Sequence, residues 1–268
     1  MSATERWDAF LAQIEGRHRL VREEALAAAH ATIASLPGAD VQPLTLAWGA
    51  VNSRLQELET RIIDTWHEKV EAAFEAEGID GVRTGAYDKG DSLRFALENE
   101  REALQQRILA DAARQIFARA LAGRRDCFCT ACGAQLDVPL VFRAVSLQCG
   151  RCGAVGVFEP GELLRGVAAV GAHALAQEAA WGPWLAMREA ERRWRQARSP
   201  CPLPLLKAHE RAQIAYWRAY VAARAQLEPE LGRDPVLEVR SRMEGWYQYN
   251  AEHEQEWVRA GRPRELIV

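Results

Sequence analysis

Two short turns, Cys129-Thr130-Ala131-Cys132-Gly133 and Cys149-Gly150-Arg151-Cys152-Gly153, hold the residues best equipped for chemistry, with sixteen residues between Cys132 and Cys149. Each Cys-x-x-Cys turn can offer two thiolates to one cation at about 2.3 Å, and four such sulfurs close a tetrahedron. The glycine after each second cysteine permits a positive φ and lets backbone amides approach the thiolates. Sulfur ligands select zinc, with iron the lesser alternative. A cation with four protein ligands has no open position for water or substrate, so Cys129, Cys132, Cys149 and Cys152 are expected to form a structural metal site. Disulfides are disfavoured because Glu5, Arg6 and Asp8 stand where a secretion signal would need an apolar core, which predicts a cytoplasmic protein with reduced thiols. Cys127 is expected to be an incidental thiol beside the site, although it could replace Cys129 as a ligand. Cys201 lies among prolines with no base in sequence reach, and a nucleophilic role is not expected of it.

Other groupings could also do chemistry. Asp64, His67, Glu68 and Glu71 fall within two helical turns, a spacing suited to acid–base or metal work, or else to a solvated charged face. Arg188, Arg192, Arg195 and Arg198 line one side of a helix beside Trp194, a phosphate-binding stripe or, with Glu189 and Glu191 interleaved, a mixed exposed face. Trp246, Asn250, His253 and Trp257 share a seam that could line a pocket or set helix register. The glycine-punctuated stretch Gly78 to Asp91 is expected to be a mobile or binding loop without a helix.

The elements that must position these residues are helices. Trp7, Phe10, Leu11, Ile14, Val21, Ala25 and Ala28 recur at helical steps up to about Leu36, where Pro37-Gly38 stops the segment. After Pro43, the residues Leu44, Trp48, Val51, Leu55, Leu58 and Ile62 step by four and three, a heptad seam that predicts side-by-side, coiled-coil packing. From Ile62 the steps become uniformly four through Trp66, Val70 and Phe74, so the stripe should drift around the helix. A third helix is expected from Asp91 or Ser92 to about Leu121, with Leu93, Leu97, Leu104, Ile108, Ala112 and Phe117 on one face and Gly123 beyond its end. Between and after the cysteine turns, Leu136 to Phe142, Val145 to Gln148 and Val155 to Phe158 suit short strands. Further on, Leu163, Val167, Val170 and Ala174 share a helical face ahead of a break at Gly182-Pro183. A second piece then carries Trp184, Met187 and Trp194. The proline-rich Ser199 to Pro204 is expected to be a stiff linker before a helix from about Leu205 to Leu227, and Asp234-Pro235 starts the last helix.

The expected fold is therefore mainly α: an antiparallel helical hairpin or bundle with an inserted β-ribbon and a Trp-rich C-terminal helical segment. The domain boundaries expected are 1–123, 124–160 and 161–268. At 268 residues the chain can bury a substantial core, and no apolar run is long enough to span a membrane. Residues 1–123 hold 14 Lys/Arg against 20 Asp/Glu, and four metal-bound thiolates would add negative charge to the middle segment. Generic nucleic-acid binding, which depends on clustered cations, is thereby disfavoured.

The stretch from Cys129 to Glu159 resembles zinc ribbons, modules used for protein contacts, nucleic-acid contacts and structural support. The second turn with Phe158-Glu159 is also similar to the second iron knuckle of rubredoxin-like domains. This sequence departs from that pattern, having Gly150 where those domains usually carry proline and Ala134 where they carry an aromatic. A rubrerythrin-like di-iron bundle would need inward-facing Glu-x-x-His pairs, against which Asp64-x-x-His67 substitutes Asp for Glu. Helical hairpins joined to a four-cysteine finger also resemble the DksA and TraR transcription regulators, which insert an acidic coiled-coil tip into RNA polymerase. Here the turn from Pro37 to Val41 carries only Asp40 as an acid, and a long tryptophan-rich segment follows the ribbon.

No phosphate loop, nucleophile elbow, His-Glu-x-x-His or dinucleotide fingerprint occurs. The function expected is that of a non-enzymatic zinc-binding adaptor or regulator that meets a protein partner, or a second copy of itself, through its helices. The alternatives are a rubredoxin- or rubrerythrin-like redox or other metal-dependent enzyme, and a regulator that binds nucleic acid or RNA polymerase.

Overall fold

A computed structural model describes residues 1–123, 126–138, 142–166, 171–197, 203–227 and 234–249. The fold is mainly α with a small inserted strand region. It divides into two compact units, Met1–Gln115 and Ile116–Val268.

The first unit is an antiparallel hairpin joined by a long third helix. Helix α1 (Ala3–Ser35) starts four residues earlier than its apolar stripe implies, because Ser2 and Glu5 form a reciprocal capping box. Helix α2 (Gln42–Thr65) carries Pro43 in its first turn, and the Asp40 carboxylate accepts a hydrogen bond from the Gln42 amide. Of the seam residues, Leu44, Trp48, Leu55, Leu58 and Ile62 are buried and Val51 is half-buried. Beyond Ile62 the stripe does not drift. A π-type turn at Trp66–Val70, closed by the Glu71 amide on the Trp66 carbonyl, widens the helix. More residues per turn suit steps of four, so Trp66 and Phe74 of α3 (Glu71–Ala76) stay on the buried face.

Helix α4 (Ala86–Ala122) begins five residues before Asp91, which corrects the expectation of a loop without a helix over Gly78 to Asp91. Two glycines mislead here because their role is steric: a Cβ at Gly90 would lie 2.5 Å from the Trp7 ring, and one at Gly81 would lie 2.7 Å from Trp66. The residues ahead of α4 form ordered turns in which Asp80 accepts from the amides of Val82 and Arg83, while Gly85 adopts φ +78°. Trp7, Trp66, Phe74 and Leu97 close a common core, and the Trp7 indole donates to the Ala86 carbonyl at 2.9 Å.

In the second unit, strand β1 (Cys127–Phe128) pairs with β2 (Gln135–Leu136), and β3 (Val145–Gln148) pairs with β4 (Val155–Phe158), all antiparallel. Of the strand expected over Leu136 to Phe142, Leu136 pairs with Cys127 beside the first cysteine turn, and residues 139–141 lie outside the described residues. Short helix α5 (Glu162–Gly166) follows, then α6 (Ala172–Ala179) and α7 (Trp181–Gln196). The break expected at Gly182-Pro183 falls instead at Ala180; Pro183 sits in the first turn of α7, where its missing amide costs no helical hydrogen bond. Helix α8 (Leu203–Leu227) packs against α6, α7 and α9 (Pro235–Tyr249) around Trp184, Met187, Tyr220, Val221 and Met243.

Candidate metal centre

The sequence Cys-x-x-Cys-Gly-Ala occurs at both hairpin tips, and both tips fold alike. The Cys129 amide donates to the Ala134 carbonyl at 2.8 Å, as the Cys149 amide does to Ala154. Gly133 and Gly153 take φ values of +69° and +74°, and their amides donate back to the Cys129 and Cys149 carbonyls. These turns aim all four sulfurs at one point. The Sγ atoms of Cys129, Cys132, Cys149 and Cys152 lie within 4.8 Å of one another, a grouping able to hold a metal ion. Cys129 and Cys152 are 3.7 Å apart across the gap, as are Cys132 and Cys149. That is too long for a disulfide, and all four are free thiols.

The electrostatics also fit a cation. Hydrogen bonds from the amides of Ala131 and Cys132 hold the Cys129 thiol below its ordinary value. Those of Cys152 and Arg151 bring Cys149 down to about 6. At Cys132 the Ala134 amide pulls the same way, but neighbouring Cys152, burial and Cys149 raise the thiol to about 12. Crowded sulfurs cannot all ionise while they face only one another, and a divalent ion between them removes that conflict. Cys129 and Cys149 are buried, Cys132 is half-buried and Cys152 is exposed. Cys127 lies on β1 opposite Leu136 and is not among the clustered sulfurs.

The remaining candidates separate. His67 meets only Glu71 of its group, at 3.6 Å on the exposed side of the π turn, while Asp64 and Glu68 line an open surface groove with Arg17, Arg61 and Lys69. Along α7, Arg188 pairs with Glu191 at 3.9 Å, Arg192 with Glu189 at 3.2 Å and Arg195 with Glu191 at 2.6 Å, so the described arginines of the stripe have carboxylate partners on their own helix. Arg188 lies over the Trp184 ring at 5.4 Å. Arg198, Cys201, Asn250, His253 and Trp257 fall outside the described residues; Trp246, the described member of its group, stands edge-on to His209 with centroids 5.3 Å apart.

Sequence spacing missed a buried polar network in the first unit. His18 fills the heptad position between Ile14 and Val21, fully buried, with Nε2 3.3 Å from a Glu59 carboxylate oxygen. Arg101 of α4 donates to both Glu59 oxygens at 2.8 and 3.1 Å, and to the Asn52 side-chain carbonyl at 2.8 Å. The available signal was a histidine at a core position of the stripe. Glu15 and His18 also form a Glu-x-x-His pair, but Glu15 is exposed while His18 is buried, so the two do not converge.

No family model, curated protein or solved structure matches this chain.

Proposed function

We propose that the chain is a non-enzymatic zinc protein, resident in the cytoplasm, that acts as an adaptor or regulator by binding another protein. The observation that carries the metal half is the 3.7 Å separation of sulfurs across the two turns. With Zn–S bonds of about 2.3 Å, the edge of an S4 tetrahedron is about 3.8 Å. Zinc in that cage has every position filled by protein, so it staples a segment too small to hold its own core.

The binding half is supported by apolar side chains left in solvent beside that staple. Phe128, Val155 and Val157 are 55%, 69% and 70% exposed. The cross-strand register of Val157 with Ser146, and of Val155 with Gln148, puts both valines on one face of the hairpin. Such a face suits the apolar centre of a protein interface better than it suits water.

Elemental analysis of purified protein tests the metal: one zinc per chain is expected, whereas red, iron-bearing material would favour the rubredoxin-like alternative. Light scattering after size exclusion, with an affinity pull-down, tests the rest. A partner or second copy held by the parent and lost from a Val155→Asp/Val157→Asp variant is expected. A strict monomer retaining nothing sensitive to that substitution would overturn the adaptor proposal.

A further inference from the structure

We infer that the four-cysteine centre is a peroxide-responsive switch, in which Cys152 is oxidised first and pairs with Cys129 to expel the metal. This rests on the zinc reading above and concerns how that site is regulated. The four sulfurs are unequal in access: Cys152 is exposed, Cys132 is half-buried, and Cys129 and Cys149 are 7% and 3% exposed. Oxidation of thiolates follows access as well as ionisation, so a small oxidant meets Cys152 first. The sulfur facing it across the gap is Cys129, at 3.7 Å, from the other hairpin. Forming a disulfide requires these two sulfurs to approach to about 2.05 Å, a movement two hairpin tips can make once the oxidised Cys152 sulfur no longer serves as a thiolate ligand.

The chemistry balances with hydrogen peroxide as oxidant. The Cys152 thiolate attacks one peroxide oxygen, forming an S–O bond and breaking the O–O bond; the departing hydroxide takes a proton and leaves as water. Cys129 sulfur then attacks Cys152 sulfur, forming the S–S bond and breaking S–O, and the second hydroxide leaves as water after protonation. Two thiolates lose two electrons in total, and the peroxide gains them. Zinc is left with Cys132 and Cys149 alone and departs as a hydrated ion. The ribbon loses its staple, while the first unit is untouched. Thiol reduction and added zinc reverse the sequence.

The cysteines fall conveniently for a test on the unmodified full chain. Trypsin cutting after Arg125, Arg143, Arg151 and Arg165 places Cys127, Cys129 and Cys132 in one peptide, Cys149 in a second and Cys152 in a third. Zinc-loaded protein is titrated with hydrogen peroxide, zinc release is followed with a chromophoric chelator, free thiols are alkylated, and the digest is examined by mass spectrometry. The expected result is one zinc released per first disulfide, with the Cys152 peptide joined to the Cys129-containing peptide and the link assigned to Cys129 by fragmentation. A Cys127→Ser variant should release zinc at the parent rate. Zinc retained under excess peroxide, a first disulfide involving Cys149, or slowed release in Cys127→Ser would overturn the switch while leaving the zinc site standing. Protein that binds no zinc before peroxide is added would sink the metal reading itself, and the switch with it.

Discussion

His18 Nε2 and Glu59 Oε1 meet at 3.3 Å inside the first unit, where His18 is fully buried and Glu59 is 3% exposed. The pair joins α1 to α2, and Arg101 adds α4 by donating to both Glu59 oxygens. One carboxylate therefore ties three helices together at a single level. Apolar seams alone tolerate sliding by a heptad, whereas a buried polar group satisfied in only one alignment penalises every other.

Removing the arginine should be the most damaging change to this network. Arg101→Met leaves a buried carboxylate with His18 alone, and loss of one partner from a buried ion pair costs about 3–5 kcal/mol. His18→Leu should cost less, because Glu59 keeps Arg101 and the buried His18 Nδ1, which has no hydrogen-bond partner, is removed. Burial pushes the Glu59 carboxyl up, but hydrogen bonds from His18 and Arg101 and the Arg101 charge outweigh it and hold the group below the ordinary 4.5. Its contribution is thus complete above about pH 4.5 and disappears as pH falls through the lower folded-state value. Urea melts of parent, Glu59→Gln, His18→Leu and Arg101→Met between pH 3 and 7 check both the ranking and the flattened acid limb expected for Glu59→Gln.

Gly90 and Gly81 should resist even a single methyl group. A Cβ at either would enter the rings of Trp7 or Trp66, and overpacking of this kind costs about 1–3 kcal/mol. Gly16 in α1 and Gly49 in α2, with nothing within 4 Å of an added Cβ, should behave oppositely and gain up to about 1 kcal/mol as alanine. Thermal melts of the four Ala variants decide it. Equal effects at all four positions would mean that the tryptophan contacts are not what requires glycine.

The cysteine turns were legible because their chemistry is local: spacing, residue type and the trailing glycine all lie within five residues. The seams of α1 and α2 were legible for a similar reason, since helical periodicity repeats within one segment. What escaped depended on partners distant in sequence. Gly81 and Gly90 look like loop punctuation until Trp66 and Trp7 are placed against them. His18 looks like one more polar residue until Glu59, 41 positions away, pairs with it and Arg101 in turn pairs with Glu59. The π turn at Trp66 was present as a run of four-residue steps, but only the shared burial of Trp66 and Phe74 identifies a widened turn in place of a drifting stripe.

His209 should make the second unit sensitive to mild acid. Its ring stacks on Trp194 and stands edge-on to Trp246, both at 5.3 Å. Burial, helped by the Arg195 charge and opposed by Glu191, depresses its pKa from 6.5 to about 4. The folded form then disfavours the proton that the unfolded chain accepts below 6.5. Stability is therefore lost progressively as pH falls from about 6.5 to about 4, with no further loss from this group below that. His209→Phe keeps a flat ring between the tryptophans and removes the titration. The difference in melting temperature between pH 7 and pH 4.5 should shrink in this variant; an unchanged difference would show that His209 does not carry the acid sensitivity.

Metal removal should unfold the ribbon selectively. Among the described residues the two hairpins offer four short strands and few buried apolar side chains, so a cation is expected to hold the tips together. The long helices of the first unit keep their own core around Trp7, Trp66 and Phe74. A strong chelator, or Cys132→Ser or Cys149→Ser, should accordingly leave far-ultraviolet helical signal nearly intact while amides from Cys127 to Phe158 lose protection in hydrogen exchange. The effect must also depend on pH in the direction that thiolate ligands demand, since protons compete with the cation and acid should release it. Exchange protection over Cys127 to Phe158 that survives chelation unchanged, in reduced protein, would mean that the hairpins stand without a metal and that the sulfurs meet for another reason.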